Sequence, residues 1–398
     1  MDEQLAGLAA RFRYFAAQET QGTTPLYERL AVNIAGDPLV LAIATHARPE
    51  QPLPHLFFAV VHYLLLKQPG AELARYYPDL NAAPASDDPY PAFQAFCLEH
   101  RAEIEEVIAT RRVQTNEVSR CACTLPAFGL VAERTGQPLW LIEVGTSAGF
   151  NLLWDQYGYD YGNGLRWGDL TSPLQLNCEL RGKQPSLPVK IPSVYNRIGL
   201  DLNPLDVNDP DTVLWLRALI WPELRERVLL LQQAISMTQM MQPTLIAGDA
   251  LATLPGVLHG APTDVALVVY HSSTLNQFPT SSQAHFRTIL EEIALKRDLY
   301  HISLEWEQNN YELTLTSYHH DKQEREVLAY CNAHGKWLEW LLPFSARQCA
   351  AARVSSRVVN DVVDVIALDG IRHCLHPQEV EKSDGIGVVL MRIGDNTR

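Results

Sequence analysis

The strongest constraint on the fold is a short, largely apolar run, Leu139 to Val144, that stops at a glycine-spaced turn, Gly145-Thr146-Ser147-Ala148-Gly149. Six such residues are too few for a stable helix, and they offer no polar face to solvent. They read as a strand buried on both sides, as in a parallel sheet. Similar runs recur at Arg197 to Leu202, Pro243 to Ala247, Val265 to Tyr270 and Leu299 to Trp306. Helical segments lie between them, among them Asp211 to Leu219, Leu224 to Ala234 and Ser282 to Lys296. Strands alternating with helices predict an α/β, doubly wound sheet. Three further runs, Tyr311 to Tyr318, Val327 to Cys331 and Trp337 to Leu342, follow with no helix between them. Asn332 to Gly335 supplies a hairpin turn between the last two, so the sheet should finish antiparallel.

The first 137 residues read as an all-helical region. Leu5, Leu8, Phe12 and Phe15 recur at helical spacing, and Thr24-Pro25 and Asp37-Pro38 have the form of helix starts. Pro54 opens an apolar helix that Pro69-Gly70 closes, and a single long helix is expected from about Phe93 to Arg111. Another begins near Asn116 and should bend or break at Pro126. The expected division is therefore a helical region at 1–137, an α/β domain at 138–343 with an insertion at 158–193, and a C-terminal appendix at 344–398.

Composition narrows the function. The net charge is -14, which argues against holding nucleic acid mainly by phosphate neutralisation. Seven cysteines are scattered through 398 residues, and Cys121-x-Cys123 has no second pair at zinc spacing. Reduced, buried thiols are expected and no metal site. The apolar run Leu53 to Leu66 is too short to span a bilayer, and the acidic start is no signal peptide, so a cytoplasmic chain without membrane association is expected.

The turn carries the chemistry. Glycines after a strand let the backbone bend tightly and approach a ligand, and a helix start favours an anion. Glu143 to Gly149 resembles the acid-x-G-x-G-x-G turn of class I S-adenosylmethionine-dependent methyltransferases, with Ser147 at the middle glycine. Gly199-Leu200-Asp201-Leu202-Asn203-Pro204 resembles that fold's second motif, whose acid accepts ribose hydroxyls. Gly248-Asp249-Ala250 resembles the third, whose acid takes the adenine amino group. The separation of Gly149 from Asp201 exceeds the usual ~20 positions, hence the insertion, read as part of a substrate lid. The resemblance implies a seven-stranded methyltransferase-like (Rossmann-like) sheet. It also implies S-adenosylmethionine bound by Glu143, Gly145, Thr146, Ser147, Gly149, Asn151, Asp201 and Asp249. Tyr270-His271-Ser272-Ser273 ends the fourth strand, where ligands bind in such sheets. His271 is the candidate general base, because imidazole titrates near neutrality, with Tyr270 beside it. The Asn-Pro-Pro-Tyr type motif of amino-group DNA methylases is absent there, a second argument against a nucleic-acid substrate.

Wider stretches are similar to a bacterial family known only as domain of unknown function 2332, with a methyltransferase-like core. They are Gln114-Thr115-Asn116-Glu117 with Arg120, the run EVGTSAGFNLLWDQYGYDYG from Glu143, GLDLNPLDV from Gly199, WLRALIWPE from Trp215, GDAL from Gly248 and HGKWLEW from His334. The family has no settled activity to transfer. From their own chemistry, the polar cluster Gln114, Asn116, Glu117 and Arg120 just before the first strand is expected beside the cofactor carboxylate, with Arg120 as its partner. Asn116, Glu117, Asp155 and Tyr157 are expected on the side of the acceptor, a small molecule or a protein. Two other readings stand beside it. Gly145 to Gly149 also fits G-x-S-x-G, so a serine hydrolase would use Ser147, Asp249 and His271. A non-catalytic module would keep the fold and bind a partner through its helices. The acceptor and the oligomeric state stay open.

Overall fold

A computed structural model describes residues 3–343 except 186, 189, 308 and 321. The proposed C-terminal appendix lies outside the described residues. Eleven α-helices and twelve strands are described. The helices are α1 Glu3–Tyr14, α2 Pro25–Ile34, α3 Pro38–Ala44, α4 Leu53–Lys67, α5 Tyr90–Glu99, α6 Arg101–Thr110, α7 Cys121–Thr135, α8 Pro210–Ala218, α9 Arg225–Met241, α10 Ala250–His259 and α11 Thr280–Ala294. The strands are β1 Leu139–Val144, β2 Gly158–Asp160, β3 Arg166–Gly168, β4 Gln175–Asn177, β5 Glu179–Gly182, β6 Val194–Asp201, β7 Thr244–Ala247, β8 Ala266–Ser272, β9 Leu299–Glu307, β10 Asn310–His319, β11 Lys322–Cys331 and β12 Trp337–Trp340.

One large mixed sheet has the order β5-β12-β11-β10-β9-β8-β1-β6-β7. Its half from β7 to β9 is parallel, and β9 to β12 form an antiparallel meander. From β1 the chain adds β6 and β7 on one side, then returns to add β8 and β9 on the other. The order therefore reverses beside β1, and that is where an open α/β sheet leaves a crevice at its strand ends. The expectation of seven strands is corrected to nine. The meander continues through three strands, and β5, from the inserted segment, pairs in parallel with β12 at the far edge. The first part of the insertion, residues 158–177, carries a small sheet, β3-β2-β4, and its Tyr159, Tyr161 and Leu176 are buried in the core. It packs as a wall and does not form the expected lid.

The sheet is covered on both faces. α10 and α11 bury Leu254, Leu258, Phe286 and Ile289 against Ile142, Leu267 and Val269. On the other face α7, α9 and the small sheet pack against Leu141, Val268 and Ile302. Pro126 sits inside α7 without breaking it, whereas the single helix expected up to Arg111 is two helices that meet at His100. A separate core unites α1 to α6, and α8 inserts Trp215, Ala218 and Leu219 into it. α8 follows β6, so it ties the helical core to the sheet.

Glu223 makes the tie firm. Thr24 precedes α2 but makes no cap of its own. The Glu223 carboxylate accepts from Leu26 N at 2.9 Å and from Thr24 Oγ1 at 2.5 Å. Asp37, by contrast, caps α3 as expected and also accepts from Tyr90 and Gln94 on α5. Among the described residues no helix is long and apolar enough to cross a membrane, and five cysteines are free and buried.

Replacing Glu223 by alanine removes two charge-assisted bonds and orphans a helix N-terminus. A loss of about 1–3 kcal/mol is expected from the midpoint of urea unfolding, and a midpoint equal to the parent's would contradict this anchoring role.

Candidate functional site

A cavity of about 640 Å³ opens where the strand order reverses. Its floor is the end of β1 with Gly145 and Ser147, the end of β6 with Asp201, and Ser272 to Thr274 at the end of β8 and just beyond it. Asp249 closes it beside β7, and residues 112–115 with Arg120 close it from the helical side.

The floor has unusual backbone geometry. Gly145, Ser147 and Gly149 have φ of +77°, +54° and +80°. The middle position therefore keeps the left-handed conformation that glycine favours, although it carries a Cβ, at a cost of about 1–2 kcal/mol. Gly145 has no room for one: a Cβ would lie 2.2 Å from Thr274 Oγ1. The Ser147 hydroxyl is buried and has no hydrogen-bond partner among the described residues. Ser273 across the cavity also has positive φ, +53°, and its hydroxyl bonds that of Tyr311. Such strain persists only where the surroundings over-determine it, and it clusters at functional sites.

Asp201 is what holds the turn. Its Oδ2 accepts from Ser147 N at 2.8 Å, and its Oδ1 from Asn203 N at 2.8 Å and Gln114 Nε2 at 3.3 Å. Gln114 also joins Asn203 through both ends of its amide. Asn116 Oδ1 accepts from Phe150 N at 2.9 Å, where the chain leaves the turn. The helix expected there is a short 3-10 segment, Phe150–Gln156, bent at Leu153.

Behind this segment Glu117 is 6% exposed and pairs with Arg227 at 2.6 Å and with His334 at 3.5 Å. Burial alone would raise its pKa. His334, Arg227 and Arg120 reverse that and hold the carboxyl at about 2. Arg120 is itself 9% exposed. Its Nε donates to Ala333 O at 2.9 Å and its Nη1 to Ser272 O at 3.3 Å, and no carboxylate forms an ion pair with it among the described residues. The turn of Ala333 fits because Gly335 has φ +71° and lies so close to Ser119 O that a Cβ would clash at 2.2 Å.

A family model described as an uncharacterized protein conserved in bacteria (DUF2332) matches residues 9–340. The chain belongs to this family. Neither the curated proteins nor the solved structures offer a match.

Of the residues singled out by sequence, Gly145, Ser147, Asp201, Asp249 and Arg120 line the cavity together. Asp249 also caps α10 through Leu251 N at 2.9 Å. Glu143 lies beneath the turn, where its carboxylate accepts from Thr146 Oγ1 at 2.8 Å. Burial raises its pKa to about 8 against the ordinary 4.5. Thr146 and Asn151 are buried with it, Asn151 accepting from Cys121 Sγ. Gly149 packs against Leu245. Asn116 and Glu117 border a separate hollow of about 30 Å³. Asp155 is buried against Arg197 at 2.5 Å, and Tyr157 donates to Phe150 O, so neither reaches the cavity.

The candidate base is not brought to the site. His271 is fully buried on the α11 side, with Nδ1 2.7 Å from Glu305 Oε1 and Nε2 2.9 Å from His301 Nε2. Tyr270 is buried on the opposite face, edge-on to Phe128. Glu305 also accepts from Thr274 N at 2.7 Å and Leu275 N at 2.9 Å. His271 and Glu305 therefore pin the loop that lines the cavity. The Ser147, Asp249, His271 set is not assembled, and no histidine lines the cavity among the described residues. No group suited to a metal ion occurs among them either. Sequence reasoning missed Arg112, Thr274 and Gln277 as cavity residues, since they lie in an irregular segment or a three-residue 3-10 turn without a recognisable spacing.

Ser147→Gly should gain about 1 kcal/mol in chemical unfolding, and Ser147→Val should lose at least about 2 kcal/mol. Equal stabilities would show that the turn is not strained. Glu143 gives a pH test. Its folded pKa lies above the unfolded one, so its contribution is full below pH 4.5 and is lost as pH rises through about 8. Glu143→Gln should therefore gain on the parent by on the order of 1 kcal/mol per pH unit across that window. A pH-independent difference would place the carboxyl elsewhere.

Proposed function

We propose that the cavity binds S-adenosylmethionine and that the protein is a methyltransferase with a small-molecule or protein acceptor. One observation carries the reading: a left-handed turn and two carboxylates, Asp201 and Asp249, from successive strand ends share one cavity where the strand order reverses. Its volume falls within the roughly 300–1,000 Å³ usual for small-molecule sites. The five-strand parallel half has the order 3-2-1-4-5, as in Rossmann-like sheets.

The donor set fits this cofactor. A carboxylate offers about four acceptor positions. Asp201 uses its own on Ser147 N and Asn203 N, with Gln114 more distant, and keeps capacity for ribose hydroxyls. Asp249 Oδ1 caps α10, which leaves Oδ2 for an adenine amino group. Arg120, buried with no carboxylate at ion-pair distance among the described residues, matches the aminoacyl carboxylate. When bound, S-adenosylmethionine would supply an electrophilic methyl group that passes to a nucleophile as the carbon–sulfur bond breaks, with its electron pair left on sulfur and the nucleophile's proton passing to solvent. The residues Ser272 to Thr274, pinned by Glu305, would fix the approach to that methyl. With His271 walled off, catalysis in this reading rests on positioning. The same fact favours a second reading, a module that holds the cofactor without turnover.

Calorimetry with S-adenosylhomocysteine tests both. Asp249→Asn keeps the α10 cap but puts a donor where the adenine amino group needs an acceptor. Binding weakened about tenfold, roughly 1.4 kcal/mol, with unchanged stability is expected. No binding to the parent at millimolar ligand would overturn the proposal. Binding without methyl transfer to any acceptor fraction would leave only the second reading.

A further inference from the structure

A second cavity, about 510 Å³, adjoins the first and shares Arg112, Gln114, Leu202 and Asn203 with it. Arg48, Arg111 and Arg112 line it, and none of its lining residues is acidic. In a chain with a net charge of -14, this is a local reversal of sign. We infer that this cavity binds a small molecule through a phosphate or carboxylate group, beside the occupant of the first cavity.

The three arginines differ in what they can offer. Arg111 pairs with Asp211 and lies over the rings of Tyr63 and Trp215, each 5.4 Å away, so it is a fixed wall. Arg48 donates Nε to Ala109 O at 3.0 Å, near the end of α6, and forms no ion pair among the described residues. Its outer nitrogens are therefore held in place and open. Arg112 has its backbone fixed by the bond from Trp215 Nε1 to its carbonyl at 3.0 Å, while its exposed side chain has no ion pair among the described residues. One held guanidinium fork, Arg48, and a second, Arg112, anchored at its backbone, on one acid-free wall suit a bidentate acceptor such as phosphate or carboxylate. Gln114 and Asn203 bond one another at 3.1 Å and form the partition between the two cavities. Binding in one should change affinity in the other, by the same factor in both directions.

The test uses the full chain, with inorganic phosphate and acetate as probes, followed by thermal shift at constant ionic strength set with sodium chloride. The expected result is stabilisation by phosphate, acetate or both beyond the chloride control. The more stabilising probe identifies the group. Arg48→Gln and Arg112→Gln should each raise the apparent Kd at least tenfold, and Arg29→Gln, on α2, should leave it unchanged. Arg112 is exposed, so its replacement keeps the fold and the test readable even if Arg48→Gln unfolds. Anions that act no differently from chloride, or equal Kd values in the parent and both cavity variants, would overturn the inference. The S-adenosylmethionine reading fails separately. Anion binding that depends on Arg48 and Arg112, in a protein that ignores S-adenosylhomocysteine, keeps this site and removes that cofactor.

Discussion

The contact on which the rest of the site depends is the bond from Ser147 N to the Asp201 carboxylate. It joins the end of β1 to the end of β6 across 54 positions of sequence. It is charge-assisted, and bonds of that kind are about twice as strong as neutral ones. The backbone bonds from Gly145 N and Thr146 N to Leu200 O run beside it. Together they offset the cost of holding a serine in a left-handed conformation. They also leave the turn concave toward the cavity, with Asp201 already oriented. The same carboxylate reaches Gln114, so a single side chain connects floor, strand end and roof.

The roof is built from distant parts of the chain. Residues 111–117 have no regular structure, yet nearly every one has an assigned partner. Trp215 fixes the backbone of Arg112, Gln51 accepts from Val113 N, Asn116 accepts from Phe150 N, and Arg227 pairs with Glu117. Those partners come from α8, α9, the turn after β1 and the loop before α4. The helical core is held by the same struts, since Trp215, Ala218 and Leu219 enter it and Glu223 caps α2. The helices therefore supply one wall of the cavity, and the WLRALIWPE stretch is the device that holds it there.

The parallel half of the sheet was legible because each strand is a short apolar run with a turn at its end. Asp201 and Asp249 were legible because each sits at a strand end, Asp201 as the last residue of β6 and Asp249 two residues after β7. The inward direction of β8 was not. Both of its faces are buried, so alternation gives no way to tell that His271 turns toward α11 while Ser272 and Ser273 turn to the cavity. The nine-strand width was not legible either, because β5 is four residues long and pairs with a strand more than 150 positions later. Glu223 carries no capping signal, since its helix is nearly 200 positions away. Ser147 was read as a departure from a glycine pattern. The departure is chemical only, and the backbone keeps the glycine conformation.

A crystal structure grown with S-adenosylhomocysteine is the most direct measurement of the central claim. The account predicts a nucleoside with its sugar hydroxyls on Asp201, its base amino group on Asp249 Oδ2 and its carboxylate at Arg120. An empty cleft at saturating ligand, or a ligand lying away from Asp201 and Asp249, would contradict it.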